Sequence, residues 1–302
     1  MKFAVTGGAG FVGNNIVRLL ISKGHSVIVI DNLHTGKIEN LEDIFEKIEF
    51  YKIDIRDFKK IEAVLKNVDG IFHEAALTVV QESFEKEDEY FDVNVKGTEN
   101  IFKIAKEYKI KVVYASSSSI YGNSAKIPIK ETFERKPINP YGQTKLEDEF
   151  LAEKYSKMGL KVIGLRYFNI FGKGQTGSYA GVITQFMNRI SKNENLTIFG
   201  DGQQVRDFIH VKDIAKANLK AMESEIGIGF FNIGTGIPTS INKLAKIMIS
   251  ISNKKLNVVH KKALQGDVKE SLANIEKTEN EIRWNSKIEL EEGLEKLFDE
   301  WE

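Results

Sequence analysis

Tyr141 and Lys145 stand four residues apart in NPYGQTKLEDEFLAEKY, so a helix there places both side chains on one face. A phenol ionises near pH 10 in water. To act as a base near neutrality it must be lowered by about 3 units, roughly 4 kcal/mol in favour of the phenolate. A neighbouring ammonium, helped by a cationic cofactor ring, can supply that preference. Taken alone, the pair also suits a solvated helix with no chemistry. Ser116–Ser119, directly after the apolar run KVVYA, add hydroxyls at a strand end. They either hold a reacting oxygen or merely cap the strand.

The elements that would position these groups begin at the N-terminus. Lys2 to Asp31 reads as a short apolar strand, a turn with Gly7, Gly10 and Gly13, a helix with the stripe Ile16, Val17, Leu19 and Leu20, and a second strand ending in Asp31. Glycines at this spacing allow a tight turn, close approach of a pyrophosphate and close helix–strand packing, and the helix N-terminus offers unpaired N–H donors. Asp31 would accept from both ribose hydroxyls and repel a 2′-phosphate, which selects NAD over NADP. Lys37 stands near enough to soften that repulsion, and a turn acid before Asn32 is the alternative reading of Asp31.

Further apolar runs at Ile48–Tyr51, Gly70–Phe72, Lys111–Ala115, Val162–Arg166 and Gly229–Ile233 alternate with helical patterns. This alternation predicts right-handed βαβ units, hence an α/β doubly wound parallel sheet of the Rossmann kind, with a smaller C-terminal α/β substrate domain. The expected division is 1–168 plus about 208–235 for the NAD-binding domain, and 169–207 plus about 236–302 for the substrate domain. Ligands of open α/β sheets bind at the C-terminal ends of the strands, where the second domain would sit. Glu279–Glu302 is charged and periodic and reads as a solvated surface helix.

Composition narrows the partners. The 302 residues hold 43 basic and 43 acidic side chains, so nucleic acid and anionic membranes are not expected as partners. Cysteine is absent, which excludes disulfides and thiol chemistry, and the five histidines show no ligand spacing, so no metal is assigned. With a strand already at Phe3 and no membrane-length apolar run, a cytoplasmic protein is expected.

The motifs Gly7-Gly-Ala-Gly-Phe-Val-Gly13, Asp54-Ile55, His73-Glu-Ala-Ala76, Asn94, Ser116–Ser119 with Tyr121-Gly122, and Asn139-Pro-Tyr-Gly-Gln-Thr-Lys145 together resemble the extended short-chain dehydrogenase/reductases. Arg166-Tyr-Phe-Asn169, Thr197-Ile-Phe-Gly-Asp-Gly202, Arg206-Asp-Phe-Ile-His-Val211 and Phe231-Asn-Ile-Gly-Thr-Gly236 narrow the likeness to the branch of NAD-dependent UDP-glucose and UDP-N-acetylglucosamine 4-epimerases. The resemblance spans essentially the whole chain.

It implies that Ser117, Tyr141 and Lys145 are catalytic. NAD would be bound by Gly7, Gly10, Phe11, Val12, Gly13, Asp31, Asn32, Asp54, Ile55, Ala75 and Asn94, together with Tyr141 and Lys145. Ser118, Asn169, Val182, Phe199, Arg206, Asp267 and Ser271 would bind a UDP-sugar substrate. Read without the family, Phe199 fits ordinary core packing equally well, Arg206-Asp207 fits a surface ion pair, and His73 reads as structural. Ser118 and Ser119 stand where related 4,6-dehydratases carry acids, which disfavours dehydration. Leu264 replaces the arginine expected three residues before Asp267, removing a contact worth roughly 1.5–3 kcal/mol unless Lys261 or Lys262 compensates. Another sugar-nucleotide oxidoreductase or decarboxylase and a dinucleotide-sensing regulator are the alternative functions. The resemblance also implies a homodimer through the helices near 90–107 and 141–157, with Phe91, Val95, Ile101, Phe102, Leu146, Phe150 and Leu151 as apolar material for a four-helix bundle.

Overall fold

The structure is a computed structural model that describes residues 1–175, 181–263 and 268–301. Its first half alternates strand and helix: β1 (Lys2–Thr6), α1 (Phe11–Ser22), β2 (Ser26–Asp31), β3 (Ile48–Lys52), α2 (Phe58–Leu65), β4 (Gly70–His73), α3 (Val80–Ser83), α4 (Glu87–Tyr90), α5 (Gly97–Glu107), β5 (Lys111–Ser117), α6 (Pro140–Ser156) and β6 (Val162–Tyr167). Next come β7 (Asn169–Phe171), α7 (Val182–Ser191), β8 (Leu196–Phe199), β9 (Val205–His210), α8 (Val211–Glu223) and β10 (Ile228–Ile233). The chain closes with β11 (Pro238–Ser240), α9 (Ile241–Ser252), β12 (Val258–Lys261), β13 (Glu270–Ser271), α10 (Glu276–Glu281) and α11 (Leu290–Asp299).

Seven parallel strands form the main sheet in the order β10-β6-β5-β4-β1-β2-β3. Helices cover both faces, so its central strands are apolar throughout instead of alternating. On one face Val5, Val29, Phe72 and Ile163 pack with Ile16, Val17 and Leu20 of α1 and Ile214 of α8. On the other, Ala4, Ile28, Ile71 and Val112 meet Ile61 of α2, Ile101 and Phe102 of α5 and Ala152 of α6. The strand order reverses between β1 and β4, and a crevice for ligands opens beyond the C-terminal ends of those two strands.

A smaller sheet is built on β9, which pairs antiparallel with β11 and parallel with β13 and β7, and β8 pairs with β12. Phe171, Phe186, Ile198, Leu244 and Leu297 fill its core. The return to the main sheet starts with α8 at Val211, since β9 up to His210 stays in the small sheet. No helix among the described residues is long and apolar enough to cross a membrane.

The expectation of one solvated helix over Glu279–Glu302 is corrected. Arg283 takes a left-handed φ of 53° and ends that stretch after α10, and Ile282 and Trp284 are buried against the α1 and α8 face. The second piece, α11, sends Leu294 and Leu297 into the small-sheet core. Charge pattern alone hid four buried apolar side chains in this segment.

Candidate active site

The glycine turn has the shape of a phosphate cradle. Gly7 has φ 68°, and a Cβ there would lie 2.7 Å from the backbone nitrogen of Ala75 at the end of β4. A Cβ on Gly13 would come within 2.1 Å of the Gly7 carbonyl oxygen. Gly10 caps α1 without a side chain and the first helical turn has no acid, so the N-terminal N–H groups around Phe11 and Val12 meet no side-chain cap. The cradle fits the pyrophosphate of a dinucleotide.

Asp31 is buried at the end of β2, where its carboxylate accepts from the N–H groups of Ala9 (3.0 Å) and Leu33 (2.8 Å). Burial pushes this carboxyl up while those two N–H groups draw it back. Asn32 donates to Asp54 at 3.0 Å, and Arg56 grips Asp54 through two nitrogens at 2.9 and 2.7 Å, which holds that carboxyl well below its ordinary range. Ile55 is buried under Gly97 of α5. Asn94 lies fully buried on a widened helical turn, Phe91–Lys96, between α4 and α5. Its amide donates to the Leu77 carbonyl and to Thr144 Oγ1 and accepts from the Leu77 N–H. It therefore ties the segment after β4 to α6. Widened turns of this kind recur at functional sites because they rotate one side chain inward.

Helix α6 starts where the sequence demands. Asn139 accepts from the Gly142 N–H at 2.7 Å as N-cap, and Pro140 follows at a position that needs no donor. A Cβ on Gly142 would lie 2.8 Å from the Ser119 carbonyl oxygen, so the start of α6 seats directly on the turn Ser118–Tyr121. Tyr141 and Lys145 of α6 are thereby brought to the serine end of β5. The Tyr141 N–H is held by Ser83 Oγ at 3.2 Å, and Ser117 Oγ accepts from the Ser119 N–H at 3.1 Å.

Lys145 is 3% exposed, and its ammonium lies 3.2 Å from Asp148 Oδ2. Burial lowers the lysine, but Asp148, Tyr141 and Glu74 more than offset this, so it is raised overall. Burial raises Asp148 to about 7, with Lys145 drawing it back. One residue further, Glu149 takes Arg166 in two hydrogen bonds of 2.8 Å and accepts from Ser116 Oγ at 2.7 Å. Arg166 also donates to the Tyr121 hydroxyl at 2.6 Å, which in turn donates to Asn232 at 2.7 Å. This buried network locks α6 onto β5, β6 and β10 and so fixes where Tyr141 stands.

His73 bonds Thr6 Oγ1 (2.6 Å) and Thr98 Oγ1 (2.9 Å), and burial and Lys145 push its pKa down to about 3. A neutral ring tied to two threonines bears out its structural reading. Its neighbour Glu74 faces the opposite side of the sheet. There Tyr167 donates to Glu74 at 2.9 Å and Asn218 donates to the Tyr167 hydroxyl at 2.7 Å. Burial raises Glu74 to about 8, against the pull of Tyr167 and Lys145.

On the small-sheet side, Asn169 on β7 donates to the Asp207 carbonyl at 3.3 Å, Val182 opens α7, and Phe199 ends β8 half-buried. Arg206 on β9 is 8% exposed and registers with Ser271 on β13, itself buried. The reading of Arg206-Asp207 as a surface ion pair is corrected: Asp207 is fully buried and its carboxylate accepts from Thr235, Gly236 and Ala273. Ser118 is half-buried beside Ser117. Asp267 and Leu264 lie outside the described residues. Among the described residues, no three His, Asp or Glu side chains gather in a way that could hold a metal ion.

Sequence reading missed Glu74, Asp148 and Glu149. The signal was present for the last two, because Tyr141, Lys145, Asp148, Glu149 and Ala152 recur at helical spacing on one face.

A doubly wound sheet with a dinucleotide cradle at its switch point, and a serine, tyrosine and lysine gathered beside it, defines an NAD-dependent short-chain oxidoreductase fold. Residues 3–234 match the model of the NAD dependent epimerase/dehydratase family, and the chain belongs to that family as an enzyme of its UDP-sugar epimerase branch. It is similar to the UDP-glucose 4-epimerase of Thermotoga maritima solved with UDP-glucose, with 36% identity and a TM-score of 0.95 over 99% of this chain and 98% of that one. The UDP-N-acetylglucosamine 4-epimerase of Methanobrevibacter ruminantium, solved with UDP-N-acetylmuramic acid, gives 36% and 0.94 over 99% and 97%. The bifunctional UDP-glucose 4-epimerase and UDP-xylose 4-epimerase 3 of Arabidopsis thaliana is 33% identical over 321 residues, 95% of this chain and 92% of that one.

Proposed function

We propose that the chain is a 4-epimerase of UDP-hexoses that works through a transient 4-keto sugar, on UDP-glucose and UDP-galactose and also on UDP-GlcNAc and UDP-GalNAc. The observation that carries this reading is the seating of α6 on the Ser118–Tyr121 turn, which gathers Ser117, Tyr141 and Lys145 at one strand end with serines, not carboxylates, at 118 and 119. A dehydration would need an acid there.

In this reading Tyr141 takes the proton of the sugar 4-hydroxyl and later returns it, and Ser117 Oγ hydrogen-bonds the same oxygen. Lys145, kept charged in a buried site, sets its positive charge beside Tyr141 and holds the cofactor ribose. Gly7, Gly10, Phe11, Val12 and Gly13 hold the pyrophosphate, Asp31 and Asn32 the adenosine ribose, and Asp54 and Ile55 the adenine, with Ala75 and Asn94 shaping the channel. Bound NAD supplies the oxidising and then the reducing equivalent at C4. Asn169 and Arg206 face the diphosphate, Phe199 the uracil, and Ser118, Val182 and Ser271 the sugar. The main sheet with α8 and β10 then forms the cofactor lobe and the β9 sheet the substrate lobe.

Purified protein incubated separately with UDP-glucose, UDP-GlcNAc and UDP-glucuronate, with products identified by NMR, tests the reading. UDP-galactose and UDP-GalNAc are expected. A decarboxylated pentose from UDP-glucuronate with no epimer of either hexose would overturn it.

A further inference from the structure

Lys145 is not alone in its burial. Asp148, one turn further along α6, is fully buried with Oδ2 3.2 Å from the lysine nitrogen, and the Thr98 hydroxyl is its other hydrogen-bonding neighbour. A buried ion pair is weak evidence for stability, since two well-packed apolar side chains in its place are often as stable or more so. A group kept in that position needs another reason. The lysine supplies one, because an ammonium taken out of water sheds its proton unless a counter-charge lies in contact.

The other charged and titratable groups around the pair are Tyr141 and Glu149 on α6, His73 and Glu74 at the end of β4, and Tyr114 on β5. The His73 ring is tied to Thr6 and Thr98, the Glu149 carboxylate is given to Arg166, Arg135 and Ser116, and Glu74 hydrogen-bonds Tyr167. Among the described residues, one carboxylate, that of Asp148, thus lies within hydrogen-bond reach of the ammonium.

We infer that Asp148 is a positioning residue for the reaction, the buried counter-ion that keeps Lys145 charged at the pH where Tyr141 must give up its proton. Asp148 touches neither sugar nor cofactor and acts only through Lys145. The inference rests on the reading of Tyr141 and Lys145 as the working pair.

The experiment labels lysine side chains with 13C at Cε and follows Lys145, identified by its missing signal in Lys145→Arg, through a pH titration of the intact protein. In the unsubstituted protein Lys145 should titrate above the ordinary lysine value, and in Asp148→Asn its midpoint should fall by about 1 unit or more. The alkaline limb of kcat/KM should move down by the same amount. A purely structural role would lower the melting temperature and leave both midpoints in place. Equal Lys145 midpoints in the two proteins overturn the proposal, and so does a midpoint below the ordinary lysine value in the unsubstituted protein, a measurement that survives even if the variant fails to fold. Failure of the unsubstituted protein to turn over any UDP-sugar would sink the epimerase reading separately, and the titration, which needs no turnover, would still decide Asp148.

Discussion

Tyr141→Phe removes one oxygen from the end of α6 and leaves the glycine cradle, Asp31 and the Asn94 joint intact. Turnover should fall far below a tenth of the original kcat while NAD content, read by absorbance after denaturation, stays the same. Retention of more than about a tenth, a barrier change of only about 1.4 kcal/mol, would show that the phenol is not the essential base. Glu74 gives a second prediction through pH. Its folded pKa of about 8 lies above that of an ordinary carboxyl, so its contribution to stability is fully present near pH 4 and is lost as pH rises through about 8. The difference in melting temperature between Glu74→Gln and the original should therefore change in favour of the variant as pH rises from 4.5 to 8.5. A constant difference over that range would mean that Glu74 is already ionised at the lower end. Ser271, buried beside Arg206, bears on the substrate. Ser271→Tyr should abolish activity on the N-acetylated sugars by filling the space next to Arg206 and keep activity on UDP-glucose. Original protein that epimerises UDP-glucose but leaves millimolar UDP-GlcNAc untouched would show that the pocket is not open in the way proposed.

At the scale of elements, the glycine turn is the part with least freedom. The Cβ of Gly13→Ala would meet the Gly7 carbonyl oxygen at 2.1 Å, so either α1 backs away from β1 or the turn opens. Overpacking of this kind costs about 1–3 kcal/mol. The variant should melt several degrees lower and purify with less NAD, and an unchanged cofactor content would argue that the turn is not the pyrophosphate site. The strands of this region were legible in the sequence because a strand buried on both faces must be apolar throughout and bounded by turn residues. Helix α6 was legible only in part. Its start is written in Asn139 and Pro140, but its inward face carries Lys145, Asp148 and Glu149 where a hydrophobic stripe is the usual mark of burial. Such charges are stable inside because Arg166 arrives from β6 to pair Glu149, while Lys145 and Asp148 pair each other one turn apart along α6.

The whole molecule presents Phe91 and Phe150 to solvent, 43% and 44% exposed, with Lys96 and Arg135 set over their rings. Of the seven apolar residues expected to serve an interface, Val95, Ile101, Phe102 and Leu146 are buried within the chain, and Leu151 packs on the core, so the available patch is narrower than expected. A homodimer across these helices remains our prediction. Light scattering at micromolar concentration should give about twice the 34.2 kDa chain mass, and Phe150→Asp should shift it toward the single chain. A single-chain mass for the original protein would rule the interface out.

What the sequence determined by itself was the order of strands and helices in the main sheet and the cofactor class, because both rest on local rules: the period of apolar residues and the φ that only glycine adopts freely. The tertiary structure decided what depends on contacts between distant segments. It paired Glu149 with Arg166, buried the local Lys145–Asp148 pair of α6, turned Asp207 from a surface acid into a buried acceptor for Thr235, Gly236 and Ala273, and broke the C-terminal helix so that Trp284 and Leu297 could be buried. A charged residue reads as solvent-facing in any local window. Only the fold brings the partner that makes its burial tolerable.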